Sequence, residues 1–178
     1  HLHFPANNNA KTTFGDELNI LFSATGSIYQ FNSSNGQIEN IVGEDTQNLM
    51  MDALRQSSVM DAQYHQMLQT ACSRITHARL EVAYEALEKL WDAYERLKCY
   101  FEPHDKNMKK ESVAKIVALF EENALFKDEV NHEMRKLTEL GNAFRIRHSE
   151  PYQFTLSSHR QINYLFRRCL AMIVLIQD

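Results

Sequence analysis

From about residue 45 to the end of the chain, apolar residues recur at spacings of three and four, the period of an amphipathic helix. The clearest stripe is the last, Ile162, Leu165, Phe166, Cys169, Leu170, Ile173 and Val174, and Ser158 with Gln161 three residues on gives it a capping box. A second stripe over 82–101 joins Tyr84, Leu87, Leu90, Trp91, Tyr94, Leu97 and Phe101. Its other face pairs Glu85 with Lys89 and Asp92 with Arg96 attractively, and Glu88 with Asp92 repulsively. Pro103, in "EPHDKN", ends this helix. Val113, Ile116, Val117, Phe120 and Ala124 mark the next helix, and Val130, Met134, Leu137 and Leu140 the one after, with Asp128 as its cap. Upstream, Leu49, Met50, Ala53 and Leu54, then Met60, Tyr64, Met67, Leu68 and Cys72, give one helix or a broken pair. Each stripe has to be buried against another, so the pattern predicts a mainly α protein, an up-and-down bundle of four to five helices.

The front of the chain has a different rhythm. Glycines stand at 15, 26, 36 and 43, with none from there to 141, and proline is absent from 6 to 102. Within "SIYQFNSSNGQIENIV" (27–42) apolar residues alternate around "SSNG", and Asn35-Gly36 is a strong turn signal, which predicts a small N-terminal β-hairpin. Residues 1–13, with "NNN" and few apolar anchors, read as a loop or linker. The expected division is therefore a loop and hairpin segment over 1–44, which the opening on His1 makes readable as the tail of an upstream module, and a helical bundle over 45–178.

A chain of 178 residues with 44% hydrophobic content can bury a core of its own. Cys72, Cys99 and Cys169 are odd in number and far apart, which supports neither a disulfide framework nor a zinc knuckle, so a reducing, cytoplasmic setting is the expectation. Nothing approaches the roughly 20 apolar residues of a membrane span, so no membrane association is expected. "HEMRK" (132–136) begins like a zinc-protease helix but has Lys136 where the second histidine belongs. With no Gly-rich phosphate loop, no serine elbow and no ligand cluster, neither a metal nor a cofactor is expected. The methionines fall mostly on the stripes and read as core filler.

Charge changes the picture more. Residues 1–73 carry two basic and seven acidic residues, and 74–178 carry seventeen and sixteen. Between 145 and 168, Arg145, Arg147, Arg160, Arg167 and Arg168 face one acid, Glu150, with His148 and His159 alongside. This cluster spans the connection into the last helix, whose N-terminus already presents unpaired N–H groups and partial positive charge. Added cations there oppose stability and point to an oxygen-rich anion such as phosphate, held by helix N–H groups and guanidinium forks. The alternative is a solvated loop and helix face.

Three segments, "ALEKLWDAYERLK" (86–98), "LTELGNAFRIRHSE" (137–150) and "INYLFRRCLAMIVLI" (162–176), together resemble HEPN domains of the abortive-infection, AbiJ-like group. The resemblance covers roughly 75–178. It implies a small helical bundle that often dimerises and, in active members, cuts RNA without a metal, in phage defence or a toxin-type stress response. The family pattern places a histidine four to six residues after an arginine. Here two residues separate Arg145 from His148 and Arg147 is adjacent to it, so "RIRH" is either a local variant of the motif or the mark of a non-catalytic relative. In the catalytic reading His148 is general base or acid, Arg147 and then Arg145 stabilise the charge developing on phosphate, and Glu150 orients one of them. Two-fold apposition of His148 in a homodimer would supply both base and acid. Arg160, His159, Arg167 and Arg168 are the accompanying RNA-binding residues. Against this stands a non-catalytic helical domain that binds RNA, dimerises, or pairs with a partner protein such as an antitoxin.

Overall fold

The computed structural model describes residues 8–25, 29–40, 43–146 and 151–178. They form α1 (Asn8–Ala24), a hairpin of β1 (Tyr29–Asn32) and β2 (Gln37–Asn40), then α2 (Glu44–Ser57), α3 (Ala62–Arg74), α4 (Leu80–Leu97), α5 (Lys109–Ala118, led in by a short 3-10 turn), α6 (Ala124–Ala143) and α7 (His159–Gln177). The fold is mainly α with a small antiparallel hairpin, and seven α-helices rather than four or five stand among the described residues.

Helix α4 is the axis. Its Ala83, Ala86, Leu87, Leu90, Trp91, Ala93, Tyr94 and Leu97 are all buried, and α3 and α7 pack along it. The apolar stripe of α7 closes the core from the other side and also meets α2. Along α4 the small Ala83 and Ala86 are fully buried near its start and the large Trp91 and Tyr94 further on. Helix α6 joins through Tyr94, whose hydroxyl donates to the Met134 carbonyl at 3.1 Å, and through Gly141, which lies against the Trp91 indole. A Cβ at Gly141 would stand 2.8 Å from Trp91 Cδ1 and closer still to Nε1. The glycine that opens "GNAFRIRHSE" is thus a packing requirement.

The sequence reading needs four corrections here. Residues 8–13, expected as loop, belong to α1. This helix buries little of itself, but Phe14 meets Phe31 edge-on at 5.6 Å, and the Asn19 side chain accepts from Phe31 N–H at 2.6 Å and donates to its carbonyl at 3.0 Å, as a neighbouring strand would. The stretch expected to run from Val113 to Ala124 breaks after Ala118, and Ala124 opens α6. The cap of α6 is Asn123, which accepts from Phe126 N–H at 3.1 Å, so Asp128 lies inside the helix and caps nothing. Finally, the i,i+4 pairs on α4 exchange partners: Arg74 takes Glu85 at 2.5 Å, Lys89 takes Asp92 at 3.0 Å, and Arg96 takes Asp61 on the cap of α3.

The hairpin forms around "SSNG", with Gly36 at φ 72° supplying the left-handed residue and Asn32 paired with Gln37. It rests on the bundle where Tyr29 meets His159 at 6.0 Å and Glu39 bridges to His77. No helix among the described residues is long and apolar enough to cross a membrane.

Candidate functional site

The connection from α6 to α7 returns on itself. Phe154 N–H donates to the Ala143 carbonyl and Arg145 N–H to the Phe154 carbonyl, each at 3.0 Å, making a parallel bridge between Phe144 and Phe154. The Gln153 amide adds a bond to the Asn142 carbonyl at 2.7 Å. Arg147, His148 and Glu150 lie outside the described residues, between the two arms of this staple in sequence. Arg145 and Ile146 enter it on one side, and Thr155 and Leu156 leave it on the other.

These four residues form one wall of a cleft of about 700 Å³ whose other wall is α4, through Leu80, Glu81, Tyr84, Glu85, Glu88 and Asp92. The carboxylates recur at four, three and four residues, which places them on one face of the helix. Three are matched by cations: Arg79 stands 3.9 Å from Glu81, Arg74 holds Glu85 and Lys89 holds Asp92. Glu88 has no ion pair or hydrogen bond among the described residues. Burial pushes its carboxyl above the ordinary glutamate value, and the charges of Glu85 and Asp92 push it further, against a smaller opposing pull from Lys89. Burial likewise raises the Tyr84 phenol, with Glu88 adding to it, while the Leu156 backbone and Arg145 pull it down. An arginine, a tyrosyl hydroxyl and a partly buried carboxyl shifted upward thus line one cleft, and perturbed groups so placed mark candidate functional sites.

No family model, no curated protein and no solved structure matches this chain. Its site therefore stands on its own geometry.

The other residues singled out from sequence are placed differently from one another. His159 is only 8% exposed, packed edge-on against Tyr29, with Nε2 3.2 Å from the His77 carbonyl; that oxygen only accepts, so Nε2 carries the hydrogen. It fills a polar corner under the hairpin and presents no donor to an RNA. Arg168 makes a fork to Glu133, Nε to one oxygen at 2.6 Å and Nη2 to the other at 2.8 Å, which ties α7 to α6. Arg160 and Arg167 are exposed and carry no ion pair among the described residues. The cap of α7 forms as expected, Ser158 Oγ accepting from Gln161 N–H at 3.3 Å, but the Gln161 side chain reaches one residue further back, accepting from Ser157 N–H at 2.8 Å. Glu88 and Tyr84 were not singled out by the sequence reading as site residues, although the like-charge pair of Glu88 with Asp92 was the available signal.

Proposed function

We propose that this chain is an HEPN-like helical domain that cleaves RNA without a metal, in phage defence or a toxin-type stress response. The observation that supports the reading is the cleft lined by Tyr84, Glu88 and Arg145, the last being the first residue of "RIRHSE". In such a reaction His148 takes the proton from a ribose 2′-hydroxyl, whose oxygen attacks the adjacent phosphorus, and the 5′-oxygen leaves with a proton, giving a 2′,3′-cyclic phosphate. Arg147 and Arg145 stabilise the charge on phosphate, and Glu150 orients one of them. Glu88 suits the acid by its place in the cleft, where burial and the charges of Glu85 and Asp92 shift its carboxyl toward the form that can donate to the leaving oxygen. A same-chain acid removes the need for His148 from two subunits, although a homodimer remains compatible. The test is cleavage of labelled RNA in EDTA by wild type, His148→Ala and Glu88→Gln. Cutting that survives the chelator and fails in His148→Ala supports the assignment; cutting that needs a metal, or that His148→Ala retains, refutes it.

A second reading is a non-catalytic helical domain that binds RNA or a partner protein; the carboxylates Glu81, Glu85 and Asp92 around the same cleft give a polyanion a poor lining and so favour the protein partner at that place. In that case no RNA is cut, and binding survives His148→Ala but weakens on Arg147→Ala.

A further inference from the structure

We propose that the outer edge of the α6–α7 pair is a platform for single-stranded RNA, on which bases stack against Tyr152, Phe154 and Tyr164 while Arg160 and Arg167 hold the phosphates. This rests on the reading of the chain as acting on RNA. Large aromatic side chains are ordinarily buried, yet these three are 78%, 72% and 60% exposed, and all flank the strap into α7. The placement is built. Phe154 is fastened by backbone bonds to Ala143 and Arg145 at the C-terminal end of α6. Tyr164 is held by Arg168, whose fork to Glu133 of α6 leaves its guanidinium 6.0 Å from the ring centroid and Nη1 3.5 Å from the hydroxyl.

Arg160, Tyr164 and Arg167 are spaced i, i+4, i+7, which puts cation, ring and cation on one exposed stripe of α7. On α6, Glu133 and Glu139 are matched by Arg168 and Lys136, while Arg160 and Arg167 carry no ion pair among the described residues. Rings alternating with cations suit a strand whose bases are unpaired; a duplex hides its base faces and offers only phosphate. Every base has a flat face, so the platform is tolerant of sequence and selective for strandedness.

The test is fluorescence anisotropy with a short labelled 2′-O-methyl oligouridine, which cannot be cut, in EDTA, beside a duplex of equal charge. Single-strand binding should weaken about tenfold in each of Tyr152→Leu, Phe154→Leu and Tyr164→Leu. Tyr164→Phe should bind as wild type, because stacking needs the ring and not the hydroxyl. Arg160→Gln and Arg167→Gln should each lower the slope of log affinity against log salt by about 0.7. Thermal melts of each variant separate lost binding from lost fold. Leucine variants that melt and bind like wild type overturn the proposal, as does equal affinity for the duplex, a Tyr164→Phe that fails as badly as the leucine, or no binding of the strand at low salt. A chain that binds in this ring-dependent way but never cuts RNA keeps the platform and loses the nuclease; one that cuts without depending on the rings does the reverse.

Discussion

Replacing Gly141 by alanine adds a single methyl group and should be costly. In an open helix interior the change would stabilise by about 1 kcal/mol, because glycine has the poorer helix propensity. Here the new carbon would meet the Trp91 ring at 2.8 Å (Cδ1) and 3.1 Å (Cε2), where ordinary contact begins at 3.4 Å. The indole cannot yield, since Trp91 is 0% exposed and has Tyr94 against it at 6.5 Å. Relief therefore requires α6 to move outward by about half an ångström or more, straining the Tyr94 to Met134 bond. Overpacking of this kind costs about 1–3 kcal/mol before the propensity gain is subtracted. Because the added carbon would come closer still to the buried Nε1, the cost falls in the upper part of that range, about 2–3 kcal/mol. The expected net loss is therefore about 1–2 kcal/mol, which at roughly 2–4 °C per kcal/mol lowers the melting temperature by about 2–8 °C. Urea and thermal denaturation followed by far-ultraviolet circular dichroism measure it. Trp91→Phe in the same chain should recover at least about 1 kcal/mol relative to the sum of the two single changes, as contacting residues do. A Gly141→Ala protein as stable as wild type or more so, or a double variant that is merely additive, refutes the packing argument.

Two more outcomes follow from caps and charge. Asn123→Ala should cost about 1 kcal/mol and Asp128→Ala almost nothing, and a chemical denaturation series with the ranking reversed would return the cap to Asp128. For Glu95, burial pushes the carboxyl up, but Lys98 at 2.6 Å and Lys109 at 2.5 Å outweigh it and hold it below the ordinary glutamate value of 4.5. Its contribution is therefore present above about pH 4.5 and lost as pH falls through the lower, folded-state value; the urea midpoint of wild type should drop more steeply in that acidic range than that of Glu95→Gln, and parallel curves would sink the assignment.

Much of this architecture was legible because its causes are local. The stripe of α7, its Ser158 cap and the Asn35-Gly36 turn each depend on residues within a few positions of one another. Helix α1 was hidden because its reason to exist is remote: Asn19 and Phe14 are ordered by Phe31, twelve and seventeen residues on. The break between α5 and α6 was hidden because Ala124 continues the apolar spacing, and only the Asn123 cap ends it. At the site, the basic cluster was visible as composition, but composition could not separate Arg168, engaged by Glu133 thirty-five positions away, from Arg160 and Arg167, which face solvent. Nor could it bury His159 beneath the hairpin. The cleft itself arises from two segments more than fifty residues apart, so Glu88 and Arg145 had no sequence pattern in common.

The staple between Phe144 and Phe154 also separates the stability of the helices from the identity of the residues between its arms. Backbone bonds join the end of α6 to the approach to α7 at one place, so an insertion or exchange between these arms changes a loop-closure entropy by a fraction of 1 kcal/mol and leaves the helices in register. Residue identity between the two arms is thereby uncoupled from the packing of the core, and substitutions at 147–150 should leave the melting temperature close to that of wild type.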